Sequence, residues 1–136
     1  MKQRLTLLII ASIALLTFTQ CTTDKREEVI DKTVKNERIV SERPIGNGLF
    51  SKGAIKENAK TICYITEVRE NEEQFSNLSE TAKAEMKGNA LHILQNSVGM
   101  RPLFEVEATI MFRYQDTKGK PLLEITFTPE DYSFSY

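Results

Sequence analysis

The sequence predicts an α+β fold in which one long helix packs on a small antiparallel sheet of three to five strands. Three observations lead to this prediction. Apolar and polar residues alternate at 61–68 and again at 103–115, apolar residues recur at helical spacing between these segments, and a glycine-containing turn at 116–120 precedes a further alternating segment. One helix beside several sequential strands is typical of an α+β domain.

The first predicted strand is Thr61–Val68, which is rich in β-branched and aromatic residues. Because successive side chains of a strand point to opposite faces, Ile62 and Tyr64 share one face and Cys63 and Ile65 share the other. This segment is therefore expected to be buried on at least one side.

The predicted long helix begins after Asn71, since acidic residues follow at 72 and 73, where the helix dipole favours them. Gly88 lies in its middle and is a point where the helix can bend or divide, at a cost of about 1 kcal/mol relative to Ala. Gly99 and Pro102 are expected to end it. Its apolar stripe consists of Phe75, Leu78, Ala82, Met86, Ala90 and Ile93.

The second predicted strand runs from Leu103 to Gln115, with one apolar face and one polar face. Gly119 suits the hairpin turn that follows, because glycine readily takes the left-handed conformation. The next strand starts at Pro121 and ends before Pro129. The alternation of Tyr132, Phe134 and Tyr136 favours a short additional strand or a terminal hook. The polar face of the two strands carries Glu105, Glu107, Arg113 and Glu124.

The first twenty residues have the three-part layout of an export signal. Lys2 and Arg4 supply positive charge, and the uncharged run from Leu5 to Phe18 is too short for a membrane-spanning helix, which needs about twenty residues. The segment Phe18-Thr-Gln-Cys21 resembles the end of a bacterial lipoprotein leader, although Gln20 stands where that family usually has a small residue. The resemblance covers the leader only. It implies cleavage before Cys21, lipidation of that cysteine and, because Thr22 rather than Asp follows, delivery to the outer membrane.

Three regions follow from these patterns: a signal peptide at 1–20, a lipid-anchored tether and loop-rich entry segment at 21–57, and a small α+β domain at 58–136. The order of elements in the domain is comparable with cystatin-like layouts, a likeness that carries no function. About 80 residues are near the lower limit for a stable core. A second interpretation therefore has part of 29–55 packing on the domain as an extra strand or short helix.

The charge balance argues against nucleic-acid binding. The chain has 18 basic and 19 acidic residues, and removal of the leader with Lys2 and Arg4 leaves a mildly acidic protein. Affinity for nucleic acid comes largely from basic residues that neutralise phosphates. A nucleic-acid partner is therefore not expected.

The candidate catalytic residues form no recognisable set, and no enzyme activity is predicted. Cys63 is the one thiol left if Cys21 is lipidated, and it reads as a core residue; a pair with His92, the sole histidine, is a remote alternative. Zinc needs three or four ligands, which this sequence does not cluster, so no metal or cofactor is expected. Glu105 and Glu107 could sit at a spacing suited to paired carboxylates, which leaves a small hydrolase as a less favoured alternative.

The favoured hypothesis is a membrane-anchored envelope lipoprotein whose domain binds another envelope protein or supports an envelope assembly. The predicted interaction surface consists of Glu105, Glu107, Arg113 and Glu124, with the loop at 44–53 beside it. The alternative is a carrier of a small ligand, whose pocket would be lined by the aromatic residues Phe104, Phe112, Tyr114 and Phe127.

Overall fold

A computed structural model describes residues 25–38 and 42–133. Five helices, five strands and one 3₁₀ turn lie in these ranges. In chain order they are α1 (25–38), β1 (Arg43–Gly46), β2 (Leu49–Asn58), β3 (Thr61–Val68), α2 (Glu72–Ser76), α3 (Glu80–Gln95), a 3₁₀ turn (Val98–Met100), α4 (Arg101–Glu105), β4 (Thr109–Gln115), β5 (Pro121–Phe127) and α5 (Pro129–Tyr132). The predicted signal peptide and Cys21 lie outside the described residues, as do Phe134 and Tyr136 of the predicted terminal strand.

The five strands form one sheet in the order β1-β2-β3-β4-β5. Three of the four pairings are antiparallel, whereas β3 and β4 are parallel, with Ile62 opposite Ile110 and Tyr64 opposite Phe112. The α+β prediction is confirmed, but the sheet is mixed rather than wholly antiparallel. The physical reason is that α2, α3 and α4 carry the chain from the end of β3 back to the end where it began, so β4 starts beside the start of β3.

The hydrophobic core lies on one face of the sheet, which we call the covered face. Ile62 of β3, Ile110 of β4 and Phe127 of β5 are fully buried there. Each helix except the short α2 adds a buried side chain to the same cluster, and α2 contributes the half-buried Phe75. The buried helical residues are Ile30, Val34, Leu94, Leu103 and Tyr132.

The folded unit begins before residue 58, so the boundary predicted there is wrong. Helix α1 buries Ile30 completely and Val34 almost completely in the core. Lys56 of β2 fixes the helix from its polar side, because its Nζ lies 2.9 Å from an oxygen of Glu27 and 3.0 Å from one of Asp31. The alternative interpretation, in which part of 29–55 packs on the domain, is the correct one.

The sequence did not predict strand β2, because glycine and polar residues interrupt its alternation of apolar and polar residues at 51–53. The pairing with β3 shifts register between Ser51 and Ala54, and Gly53 lies at this bulge with φ +86°. A Cβ atom at Gly53 would lie 3.3 Å from the carbonyl oxygen of Glu37. Glycine therefore allows β2 to pass closely under the last turn of α1.

The predicted long helix is divided into α2 and α3, and the division is at 77–79 rather than at Gly88. Ser79 has an extended backbone conformation and is the N-cap of α3. Its Oγ accepts a hydrogen bond from the amide of Ala82 at 3.1 Å. A strong local N-cap therefore outweighs the continuous apolar spacing. Asn71, after which the helix is expected to begin, precedes α2 in a left-handed conformation and makes no side-chain hydrogen bond to the helix.

The predicted strand from Leu103 to Gln115 is wrong over its first six residues. Pro102 lies in the first turn of α4, where its missing N–H breaks no helical hydrogen bond. Glu107, in the turn after this helix, has φ +54°. Glu105 therefore lies on a helix and Glu107 in a turn, so neither belongs to the sheet. Only from Thr109 onward does the segment form a strand.

The hairpin between β4 and β5 is confirmed. Asp116 organises it, because its Oδ1 accepts hydrogen bonds from the amides of Lys118 at 2.9 Å and Lys120 at 2.8 Å. Gly119 has φ +86°, as the turn requires. Tyr132 follows in α5 rather than in a strand, and its hydroxyl donates to the carbonyl of Ala108 at 2.6 Å.

Candidate interaction surface

The second face of the sheet, which we call the open face, carries no helix of the described ranges. The register places Ile55 beside Cys63 and Met111, and Ile65 beside Arg113. Phe50 of β2 lies on the same face, opposite Glu67 of β3. Its apolar side chains Phe50, Ile55, Ile65 and Met111 are all half-buried. The open face thus combines an apolar surface with fixed charges.

Arg113 is the centre of the first charged group on the open face. Its Nε donates to Glu124 at 2.8 Å, and its Nη2 donates to Glu57 at 3.0 Å. These two hydrogen bonds, to Glu124 first and Glu57 second, raise the pKa of the guanidinium further above its already high value. The group holds one positive and two negative charges, so this part of the face is net acidic.

A second charged group lies toward the start of β2. Glu67 accepts from Arg69 Nε at 2.6 Å and lies 3.6 Å from Lys52 Nζ, which also contacts Glu42 at 2.7 Å. The Arg69 guanidinium carbon lies 3.7 Å from the centroid of the Phe50 ring, within cation–π distance. The hydrogen bond from Arg69 and the charge of Lys52 hold the pKa of the Glu67 carboxyl below its usual value.

The four predicted surface residues separate into two pairs. Arg113 and Glu124 lie opposite each other on β4 and β5 and are bonded, as strand alternation suggested. Glu105 and Glu107 are exposed at the α4–β4 turn, at the end of the sheet where β4 begins. The segment predicted as a loop at 44–53 contains Phe50 and Lys52, but it forms β1 and the start of β2. The sequence missed Glu57, because β2 carries no regular alternation from which its faces could be read.

Cys63 is fully buried on the open face, and burial raises the pKa of its thiol. A raised thiol pKa disfavours the thiolate that nucleophilic chemistry needs. His92 is exposed on α3, a helix that covers the opposite face of the sheet. The structure therefore does not bring this cysteine and histidine together, and the remote Cys63–His92 hypothesis is wrong.

The four aromatic residues proposed for a ligand pocket pack into the core instead. Phe112 lies 5.5 Å from Tyr64 and 6.0 Å from Phe127, measured between ring centroids. Phe104 lies 4.6 Å from Tyr132 and Tyr114 lies 5.3 Å from Phe75. Their rings fill the space between sheet and helices, which removes the basis for the carrier alternative.

Metal-binding clusters and bilayer-crossing helices are both missing from residues 25–38 and 42–133. Within these ranges no three His, Cys, Asp or Glu side chains are grouped closely enough to hold a metal ion. None of the helices described there has the length and apolar character needed to cross a bilayer.

Comparison with known proteins finds similarity in fold alone. No family model and no curated protein matches the sequence. A predicted secreted protein of Pseudomonas aeruginosa superposes with a TM-score of 0.70 at 14% identity, covering 82% of this chain and 96% of the other. The pilotin EpsS of the Vibrio vulnificus type 2 secretion system gives a TM-score of 0.56 at 9% identity, covering 82% and 98%. The type II secretion system pilotin AspS of Vibrio cholerae gives 0.51 at 11% identity, covering 79% and 95%.

The Glu67 contacts predict a pH dependence of stability. A carboxyl whose pKa is lowered by folding stabilises the protein above its unfolded pKa, near 4.5, and this contribution is lost as the pH falls toward the folded value. Glu67→Gln should therefore lose less stability than the wild type between about pH 5 and pH 3, measured by urea unfolding at each pH. The exposed Glu73→Gln is the matched control and should follow the wild type; identical pH profiles for all three proteins would contradict the assignment.

Proposed function

We propose that this protein is a lipid-anchored envelope protein whose domain binds another envelope protein through the open face, without catalysis. The observation that carries the proposal is the one-sided packing of the helices. It leaves Phe50, Ile55, Ile65 and Met111 half-buried on a face whose charged group around Arg113 is net acidic. The similarity of fold to two secretion-system pilotins supports an assembly role of this kind.

The open face favours a partner segment that combines apolar side chains with at least one lysine or arginine. Burial of the apolar surface of this face by a partner would stabilise the complex by about 25 cal/mol per Å². Glu57 and Glu124 outnumber Arg113, and their side chains are 34% and 41% exposed. A basic group of the partner could therefore approach them without removing the internal ion pairs.

The absence of catalysis in this proposal rests on the chemistry of the buried thiol. An activated nucleophile needs a lowered pKa or an adjacent general base. Cys63 has a raised pKa, and the nearby Arg113 is already bonded to two carboxylates. His92 lies on a helix at the other side of the sheet, so it cannot serve as the base.

The anchor is tested by Cys21→Ser. If Cys21 is lipidated, this substitution moves the protein from the membrane fraction to the soluble fraction, because the acyl chains supply the membrane affinity. Fractionation and intact mass spectrometry measure the outcome, and Thr22→Ser is the matched control that should stay membrane-bound. Unchanged attachment and mass for Cys21→Ser would refute lipidation.

The binding face is tested by Ile65→Lys, which places a charge in the middle of the open face, directly opposite Arg113. Ile93→Lys is the matched control, since this isoleucine is 70% exposed on α3, on the other side of the molecule. Both tagged proteins are purified from crosslinked membranes and compared by quantitative mass spectrometry. At least one envelope protein should lose about tenfold in recovery with Ile65→Lys, which corresponds to about 1.4 kcal/mol, and not with Ile93→Lys.

Equal recovery of the same proteins with both variants would contradict the assignment of the open face. Thermal unfolding of the two variants distinguishes loss of binding from loss of folding. The lysine introduced by Ile65→Lys would lie directly opposite Arg113, whose charge is already compensated by Glu57 and Glu124, so the variant is expected to lose little stability and to remain folded.

A further inference from the structure

We infer that one end of the domain, the proximal end, lies directly against the headgroup surface of the bilayer, with the strands of the sheet pointing away from it. The proximal end consists of Lys25 and Arg26 of α1, the β2–β3 turn at 58–60 and the α4–β4 turn at 106–108. The inference rests on the proposed lipidation of Cys21. It goes beyond that proposal by assigning which surface meets the membrane.

The length of chain between the anchor and the fold limits where the membrane can be. Three residues separate Cys21 from Lys25, the first described residue of α1, so four Cα–Cα steps join these two positions. Even a fully extended chain spans only about 3.3–3.6 Å per residue, so the Cα atoms of these two residues lie at most about 14 Å apart. The bilayer surface is therefore within this distance of the start of α1.

Contacts fix the start of α1 to one end of the sheet. Arg26 Nε donates to the carbonyl of Val106 at 2.8 Å, which ties the helix to the turn before β4. Lys56, near the end of β2, contacts Glu27 and Asp31 of the same helix. The amide of Thr109 donates to the carbonyl of Lys60 at 2.8 Å, so the turn at 58–60 belongs to this end as well.

The opposite, distal end carries the β4–β5 hairpin at 116–120 and the end of β3. Strand β3 contains eight residues, so its last residue lies about 23 Å from its first along the strand. An anchor that reaches at most about 14 Å from Lys25 cannot hold the hairpin at the bilayer while the proximal end stands free. The short connection thus favours one orientation.

The side chains at the proximal end suit a headgroup region. A groove of about 150 Å³ lies between α1 and α4, lined by Lys25, Val29, Pro102, Glu105 and Val106. Its apolar members can meet the boundary of the acyl chains while the lysine and glutamate contact headgroups. Exposed Lys25 and Lys60 are balanced by exposed Glu105 and Glu107, so the tether, rather than attraction to anionic lipid, imposes this contact.

The orientation makes the open face accessible to a partner in the same membrane. Strands that rise from the bilayer present both sheet faces sideways, and Arg113 lies four residues along β4 from its proximal start. That position is about 13 Å along the strand from Thr109. A membrane-bound partner can therefore reach the open face laterally.

The test labels two turn lysines at opposite ends of the full chain, Lys60→Cys and Lys118→Cys, with the same fluorophore. Both positions are exposed, whereas Cys63 is fully buried and should not react in the folded protein. The lipidated proteins are purified from membranes and reconstituted into phosphatidylcholine vesicles that contain a headgroup-quencher lipid. Flotation first confirms that each protein is bound to the vesicles.

We expect quenching to be several-fold stronger at position 60 than at position 118. Twelve Gly and Ser residues inserted between Asp24 and Lys25 add about 19 Å of mean reach and should bring the two values close together. Equal or reversed quenching on floating vesicles would overturn the orientation and leave the anchor intact. Failure to float would overturn the proposed anchor and this inference with it.

Discussion

The packing of α1 against the covered face is the contact on which the other features of the structure depend. Ile30 is fully buried between the helix and a sheet face that includes Ala54 and Ile62. Burying one isoleucine side chain stabilises a fold by about 1.5–3 kcal/mol, a large share of the stability of a small domain. Without α1, the sheet would expose part of its core to water, and the chain after residue 38 would have to fold with an incomplete hydrophobic cluster.

Under the proposed lipidation of Cys21, this contact also limits the distance between the domain and the membrane. A polar tether at 21–57 would let the domain move freely tens of ångströms from its anchor. With α1 in the core, only residues 22–24 lie between Cys21 and Lys25, the first described residue of α1. Because α1 packs on the covered face together with the other helices, the charged groups around Arg113 and Glu67 remain on the open face. The proposed anchoring geometry and the candidate binding face thus both depend on one packing arrangement.

Local patterns predicted part of this fold, and non-local contacts decided the rest. Strands β3 and β5 and the Asp116 hairpin were readable because alternation and turn chemistry act within a few residues. Strand β2 was not readable, since the bulge at Gly53 is set by its close approach to α1, a contact distant in sequence. The pairing of Arg113 with Glu124 was predictable from a hairpin, whereas the bond to Glu57 needs the β2–β3 register. Residues 103–108 alternated like a strand, but Pro102 started a helical turn there.

The most direct test of the account is the stability of Ile30→Ala compared with Lys32→Ala, which changes an exposed residue of the same helix. Urea unfolding should show a loss of about 2–5 kcal/mol for Ile30→Ala, because a buried cavity replaces the side chain. Lys32→Ala should change the free energy of unfolding by less than about 0.5 kcal/mol. Equal and negligible effects of the two substitutions would show that residues 25–38 are a tether, and both the short anchoring distance and the one-sided core would then be wrong.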